Sequence, residues 1–245
     1  MNVPEPMTLI GVDLGQQQDY TALTVVERHY VAVGEPEDDA RYDPDVRRMV
    51  FESRQPVALE YRCRHLERPP LGTPYTNVVE RVLEVTRAVG GEPLVAVDQT
   101  GVGRPVTELL YRRMREAFVA NQASKVRPEL LPVTITGGDT ATRVRDGYRV
   151  PKRDLVAAPL VLMQNGQLKI AEGLKLRETL VKELKNFKVK INISTAHDSY
   201  EAWREGDHDD LVLALALSCW AGERMKRLAY VSIPNTIFGA RPITS

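Results

Sequence analysis

Apolar runs near the start of the chain predict the first strands of a sheet. Residues 7–14 are mostly apolar and include Asp13, and residues 21–33 form a second β-rich run after a turn that contains glycine. This pair predicts a hairpin with Asp13 near the tip of its first strand. Residues 49–62 alternate apolar and polar side chains, which predicts a further strand. The acidic segment between them, residues 34–48, predicts a solvated loop or a short insertion.

The rest of the chain alternates between helical and strand patterns. Helices are predicted where apolar residues recur at helical spacing, over residues 76–89, 104–118, 155–164, 175–187 and 208–227. Strands are predicted over the shorter runs, residues 94–98, 131–136 and 168–171, with an edge strand at 188–193. Strands that alternate with helices after an opening β-meander predict an α/β fold with a mixed sheet.

Carboxylates follow or begin three of the apolar elements. Asp13 and Asp98 end predicted strands, and Asp209 and Asp210 begin the last helix. Ligand sites of open α/β sheets lie outside the carboxyl ends of strands, so we expect these acids to meet there. Their oxygens suit Mg²⁺ or Mn²⁺, and the sequence offers no Cys/His cluster for zinc. Two such ions, about 3.5–4 Å apart, can clamp a phosphodiester.

Each of these acids also has a purely structural interpretation. Asp13 could be a hairpin-turn aspartate. Asp98 precedes a glycine-rich turn that could only connect two elements, or could admit a phosphate to the next helix N-terminus. Asp209 and Asp210 could be first-turn acids favoured by the helix dipole, with Asp207 as N-cap. Three acids in four positions at the start of a buried helix, however, repel one another unless cations compensate them.

Other polar residues near these motifs have two interpretations each. Asp19 is either a fourth acid of the site or a cap of the turn before the second strand. His208 is either a helix-start residue or a hydrogen-bond donor to a metal ligand. We expect Glu201 and Glu205 to be solvated.

Composition sets further limits on the interpretation. The 245 residues are 43% hydrophobic and 27% charged, so we expect a single domain over 1–245, with its core at about 8–225 and a C-terminal tail at 226–245. Cys63 and Cys219 have no metal-binding spacing and are predicted to be reduced core residues. The sequence shows no signal peptide and no bilayer-length apolar run, so we expect a cytoplasmic protein.

The distribution of charge, and not its total, indicates a nucleic-acid surface. Lys plus Arg and Asp plus Glu both number 33, so the net charge gives no indication. Residues 143–153 carry five basic side chains and one acid, and we expect them to form an extended segment that follows a phosphate backbone. The basic residues are Arg143, Arg145, Arg149, Lys152 and Arg153. A second basic stretch, residues 175–190, fits a solvated helix face.

Together these segments resemble the nuclease domain of phage terminase large subunits, the DNA-packaging proteins. The resemblance rests on the motifs GVDLGQQQDYTALTVVE, LVAVDQTGVG and, most specifically, EGDHDDLVLALALSCW. The connecting pattern VPKRDL…GQLKI…LVKELKNF also fits, and coverage runs from about residue 8 to 225.

This resemblance implies an RNase H-like fold and a metal-dependent endonuclease that cuts double-stranded DNA with two Mg²⁺ or Mn²⁺ ions. It implies Asp13, Asp98 and Asp209 as metal ligands, with Asp210 as an additional ligand, and the basic residues of 143–153 on the DNA side. The implied partners are a separate ATPase motor domain, a portal or a small terminase subunit. The implied location is the cytoplasm of a phage-infected or prophage-bearing bacterium.

One feature departs from the terminase pattern, and three other functions stay open. No GxxxxGK[ST] loop occurs, so we expect an excised domain or a stand-alone nuclease that does not translocate DNA by itself. A Holliday-junction or other structure-specific nuclease would share the fold. The opening GVDLG also occurs in actin-like and sugar-kinase ATPases, which need a duplicated domain and a second phosphate loop. The last alternative is a DNA-binding relic without activity.

Overall fold

The fold is a mixed β-sheet flanked by helices, which confirms the predicted α/β class. The computed structural model describes residues 3–15, 19–45, 47–101, 103–121, 123–193, 209–225 and 228–232. Within them it contains ten strands and five α-helices. No helix in this part of the chain is long and apolar enough to cross a membrane.

The secondary-structure elements alternate along the chain as the sequence predicts. The strands are β1 (Met7–Asp13), β2 (Ala22–Ala32), β3 (Glu37–Asp43), β4 (Arg48–Glu67), β5 (Leu94–Asp98), β6 (Glu129–Thr136), β7 (Thr142–Val144), β8 (Gly147–Pro151), β9 (Leu168–Ile170) and β10 (Tyr230–Ser232). The helices are α1 (Tyr75–Val89), α2 (Gly103–Met114), α3 (Lys152–Gln164), α4 (Arg177–Ile193) and α5 (Asp210–Arg224). A π-helical turn, Arg115–Val119, extends α2.

The chain divides into two compact units. The larger unit comprises Met7–Arg28 and Tyr61–Met225, and the smaller comprises Met1–Pro6, His29–Glu60 and Lys226–Ser245. The expectation of a single domain over 1–245 stays a prediction. All the candidate site residues that the structure describes belong to the larger unit.

The larger unit has a central set of parallel strands. Strands β1, β5, β6 and β8 are parallel neighbours in that order, while β2 runs antiparallel to β1 and β7 runs antiparallel to β8. Parallel neighbours bring their carboxyl ends to one edge of the sheet. The sheet therefore places the end of β1 beside the end of β5.

One face of β1 is packed closely against α5. A Cβ atom built on Gly11 would lie 1.9 Å from the carbonyl oxygen of Ala214, so only glycine allows this approach. At the other end of the contact, a Cβ on Gly222 would lie 2.7 Å from a methyl of Leu9. Thr24 of β2 donates a hydrogen bond to Ala214 O (3.1 Å) and shares one with Ser218 Oγ (2.9 Å).

The opposite face of β1 and β5 carries the main apolar core. Ile10 and Val12 alternate with the residues that face α5, because successive side chains of a strand point to opposite faces. They pack with buried residues of α1 and α2, among them Val82, Leu83 and Leu110. The sequence predicts both helices, and their apolar stripes are buried here.

The smaller unit corrects one prediction from the sequence. Residues 34–48 are not simply a loop, because Glu37–Asp43 forms β3, which pairs antiparallel with Arg48–Arg54 of β4. Strand β10 pairs antiparallel with the same strand over Arg54–Pro56. The acidic composition concealed β3, since strand pairing satisfies its backbone while exposed side chains stay in water.

Two further details concern the larger unit. The prediction of an edge strand at 188–193 is wrong, because α4 continues through these residues to Ile193. Cys63 and Cys219 are buried free thiols, as predicted. Burial raises the pKa of Cys63 to about 12 and also raises that of Cys219, so both side chains behave as apolar core residues.

Candidate active site

Asp13 and Asp98 end two neighbouring parallel strands. The register pairs Val12 with Val97, so the next residue of each strand, Asp13 and Asp98, lies at the same edge of the sheet. Asp13 is on the face of β1 that carries Gly11, because these two residues are two positions apart. Asp13 is only 6% exposed, whereas Asp98 is half-buried.

The first turn of α5 brings two more carboxylates to this edge. Gly11 contacts Ala214, and Asp210 precedes Ala214 by four residues, which is about one helical turn. Since α5 runs antiparallel to β1, its N-terminus lies toward Asp13. Asp210 is buried, and Asp209 is the N-cap residue, although its side chain makes no capping hydrogen bond.

The charges of three other acids act on the carboxyl group of Asp13. Burial raises the pKa of Asp13 well above its usual 3.8, and the charges of Asp98, Asp210 and Asp209 raise it further, in that order. Lys152 acts in the opposite direction on the same carboxyl group. The four acids therefore share one electrostatic site, and the protein disfavours the ionised form of Asp13 in the absence of a compensating cation.

Lys152 supplies one positive charge to this site. It is the first residue of α3, and its Nζ lies 3.1 Å from Asp209 Oδ2. Both side chains are only about one-fifth exposed (20% and 23%), so the pair is screened less than a surface ion pair. Helix α3 packs directly on α5.

Arg68 and Glu183 form a second ionic group behind Asp210. The Arg68 guanidinium binds Glu183 Oε1 and lies 3.3 Å from Asp210 Oδ2. Glu183 Oε2 accepts hydrogen bonds from the backbone N–H groups of Leu211 (3.1 Å) and Val212 (3.3 Å). Burial raises the pKa of Glu183, and the charge and hydrogen bonds of Arg68 oppose this shift.

Asp98 takes part in a fixed turn as well as in the acidic site. Its Oδ1 accepts hydrogen bonds from both the backbone N–H (2.8 Å) and the hydroxyl of Thr100. The Thr100 hydroxyl in turn accepts a bond from Ile135 N (2.8 Å). A Cβ on Gly103 would lie 2.7 Å from Asp98 O, so glycine is needed where α2 begins. The turn interpretation of Asp98 is therefore confirmed, and its role as a site residue stays a prediction.

The oxygen ligands of the four acids suit a hard divalent cation, although the side chains do not converge on one point in this structure. Among the described residues, no three His, Cys, Asp or Glu side chains form a group that could hold one ion. The four acids nevertheless offer only carboxylate oxygens, which suit Mg²⁺ or Mn²⁺. Burial and then the charges of the three other acids raise the pKa of Asp13, and a bound cation would favour the ionised carboxylate against both effects. The residues present therefore fit such an ion.

The remaining site candidates are one exposed acid, Asp19, and residues outside the described part of the chain. Asp19 is exposed and lines a small cavity of about 190 Å³ with Thr21 and Tyr75. His208, Glu201 and Glu205 lie outside the described residues. The predicted N-cap, Asp207, is also outside them, and the cap of α5 is Asp209.

The basic stretch 143–153 is a hairpin followed by a helix start, and not one extended segment. Arg143 lies on β7 opposite Tyr148 of β8, and Arg149 lies opposite Thr142. Lys152 and Arg153 belong to α3. Arg145 and Asp146 form the turn that reverses the chain between β7 and β8, which the alternation of basic residues did not reveal.

The hairpin presents its arginines to solvent. Arg143, Arg145 and Arg149 are exposed. The first two line a groove of about 590 Å³ together with Arg104 and Tyr111 of α2. Arg153 is exposed but donates a hydrogen bond to Asp139 O (2.8 Å) and pairs with its carboxylate (3.0 Å).

The sequence did not reveal the roles of Arg68, Glu183 and Lys152 around the acids. Glu183 did carry a signal, because it lies between Leu180 and Leu184 on the buried face of α4, and an acid on an apolar face needs a partner. Arg68 lies in a proline-rich connector without periodicity, so no pattern marked it.

Comparison with known proteins bears on the fold. No family model matches the chain, and no curated protein matches it in sequence. Among solved structures, the Mn-soaked terminase nuclease domain of human cytomegalovirus matches with a TM-score of 0.51 and 13% identity, over 93% of this chain and 89% of that chain. The Mg-bound large terminase nuclease of thermophilic phage G20c gives 0.47 and 20%, over 89% and 82%. The first likeness shows the fold, so this chain has the RNase H-like fold of a terminase nuclease domain.

Proposed function

We propose that this chain is a metal-dependent endonuclease that hydrolyses phosphodiester bonds of double-stranded DNA. The observation that carries the proposal is the burial of Asp13 beside three further carboxylates at the carboxyl edge of a parallel sheet. A cluster of buried like charges costs free energy, and proteins retain such strained electrostatics chiefly at functional sites. The fold of terminase nuclease domains and the three acidic motifs support the same conclusion.

Asp13, Asp98, Asp209 and Asp210 are the residues that would hold the ions, which we propose to be two Mg²⁺ or Mn²⁺. When bound, the ions supply an activated water and stabilise the charge that develops on the leaving 3′ oxygen. Lys152 balances part of the charge at Asp209. The exposed Arg143, Arg145, Arg149 and Arg153, with Lys152, hold the DNA backbone, where contacts to phosphate fix the position of a duplex without reading its sequence.

The likeness of the fold to terminase nuclease domains also suggests the partners of the chain. We propose that the chain works with an ATPase motor, a portal or a small terminase subunit during DNA packaging in the cytoplasm of a bacterial host. An alternative substrate of the same active site is a branched DNA such as a Holliday junction. If the chain is not a nuclease, the alternatives are an ATP-binding protein and a DNA-binding protein that has lost its activity.

The test is cutting of supercoiled plasmid, with Mg²⁺, with Mn²⁺ and with EDTA. We expect nicked and linear products with either metal and none with EDTA. Asp13→Asn should abolish cutting, while Asp38→Asn, at an exposed carboxylate of the smaller unit, should cut at the wild-type rate. Folded wild-type protein that cuts neither plasmid nor a four-way junction under any metal would contradict the proposal.

A further inference from the structure

We propose that Arg68 and Glu183 are positioning residues that hold the Asp210 carboxylate toward the acidic cluster and thereby set the affinity of the site for divalent cations. The inference rests on the proposed function, since it concerns the same site. Neither residue belongs to the three acidic motifs, and both lie behind Asp210, on the connector after β4 and on α4.

Glu183 caps the N-terminus of α5 in place of the N-cap residue. The first N–H groups of a helix lack partners within it and are usually satisfied by the N-cap side chain. In α5 the cap residue Asp209 makes no such bond, and Glu183 accepts the N–H groups of Leu211 and Val212 instead. Asp209 is thus released from capping, and its carboxylate pairs with Lys152 in the acidic site.

Arg68 connects this external cap to Asp210. One nitrogen of its guanidinium, Nη2, binds Glu183 and also lies 3.3 Å from Asp210 Oδ2. The guanidinium carbon also lies 5.0 Å from the centre of the Tyr20 ring. The three charged side chains are 13%, 7% and 6% exposed, so little water competes for them. The position of the Asp210 carboxylate is therefore coupled to a buried, planar cation with few alternative orientations.

The chemistry of arginine makes this arrangement hard to replace. A lysine ammonium carries the same charge, but as a compact ion on a flexible stem it does not hold a donor nitrogen at the position of Nη2, which contacts both Glu183 and Asp210. Without a cation held at that position, the charge of Asp210 beside Asp13 is less compensated, and repulsion turns the Asp210 carboxylate away from Asp13. Partners that orient metal ligands typically change metal affinity by about 10–100-fold when they are mutated.

The experiment measures Mn²⁺ binding by calorimetry on the full chain, without DNA. We expect Arg68→Lys to weaken Mn²⁺ binding about tenfold or more. Glu183→Gln keeps an oxygen for the two backbone N–H groups but removes the charge that Arg68 holds, so it should weaken binding in the same direction. If both act through one unit, the double variant should lose less than the product of the two single losses.

The matched control is Arg113→Lys, which makes the same substitution in an ion pair between α2 and Glu80 of α1. Its Mn²⁺ affinity should equal that of the wild type. A folded Arg68→Lys variant with lowered thermal stability but wild-type Mn²⁺ affinity would show a merely structural role and overturn the inference alone. Wild-type protein that binds no Mn²⁺ would instead overturn the proposed function, so the two failures are distinguishable.

A second measurement needs no variant and covers the case in which Arg68→Lys does not fold. In crystals of the wild-type chain grown with Mn²⁺, the Arg68 guanidinium should stay within about 4 Å of both Glu183 and Asp210. Glu183 should still accept the N–H groups of Leu211 and Val212. Release of Asp210 from Arg68 in the Mn²⁺-bound protein would overturn the inference.

Discussion

Gly11 of β1 and Ala214 of α5 touch so closely that no side chain fits between them: a Cβ on Gly11 would lie 1.9 Å from Ala214 O. This contact sets the depth at which α5 lies on the sheet. Two residues after Gly11 comes Asp13, and four residues before Ala214 comes Asp210. The close approach of the two backbones therefore determines how far Asp13 lies from Asp210.

Gly11→Ala should destabilise the fold, because the added methyl has no space and the strand or helix must shift. Overpacking of this kind costs about 1–3 kcal/mol, which urea unfolding would detect as a lower midpoint. Gly173→Ala is the control, since a Cβ there meets no heavy atom within 4 Å. Equal unfolding midpoints for Gly11→Ala and the wild type would contradict the packing described for α5.

Asp13→Asn should stabilise the metal-free protein while it abolishes cutting. The pKa of Asp13 is raised in the folded state, so between the unfolded value of about 3.9 and the folded value the native protein binds more protons than the unfolded chain. The free energy of unfolding therefore falls as pH rises through that window, and the variant loses this dependence. Urea unfolding in EDTA as a function of pH tests it; a variant less stable than wild type at neutral pH would contradict the electrostatic account.

The double substitution Arg143→Ala with Arg145→Ala should weaken DNA binding to all sequences about equally. Both side chains are exposed on the β7–β8 hairpin. Each lost phosphate contact should reduce the slope of log K against log salt by about 0.9. Fluorescence anisotropy with duplex DNA at several salt concentrations measures this slope, with Arg113→Ala as control. An unchanged slope would place the DNA elsewhere on the protein.

Thr24→Val should destabilise the fold by about 1–3 kcal/mol, because it removes the hydrogen bonds that the Thr24 hydroxyl makes to buried polar groups of α5. Thr24 Oγ1 bonds both Ala214 O and Ser218 Oγ. Addition of Ser218→Ala to this variant should cost less than Ser218→Ala does in the wild type, since the shared bond is already lost. Strictly additive losses in urea unfolding would show that the two hydroxyls do not interact.

The sequence predicted the elements that carry the candidate acids, which are regular strands and a buried helix. Asp13, Asp98 and Asp210 are marked by adjoining apolar runs, and the parallel register of β1 and β5 then brings the first two together. The roles of Arg68 and Lys152 depend on side chains that reach the site from other elements, and no local pattern encodes such a contact. The hairpin at 142–151 was missed for a related reason, since alternating arginines fit one long strand as well as two short ones.

A crystal structure of the wild-type chain with Mn²⁺, in which the anomalous signal locates the metal, tests the proposed metal site. We predict Mn²⁺ at the carboxyl edge of β1 and β5, with carboxylate oxygens of Asp13, Asp98 and Asp209 about 2–2.5 Å from an ion. Asp210 should complete the oxygen ligands. Crystals of active protein with Mn²⁺ bound elsewhere, and these carboxylates still apart, would contradict the claim that they form the metal site.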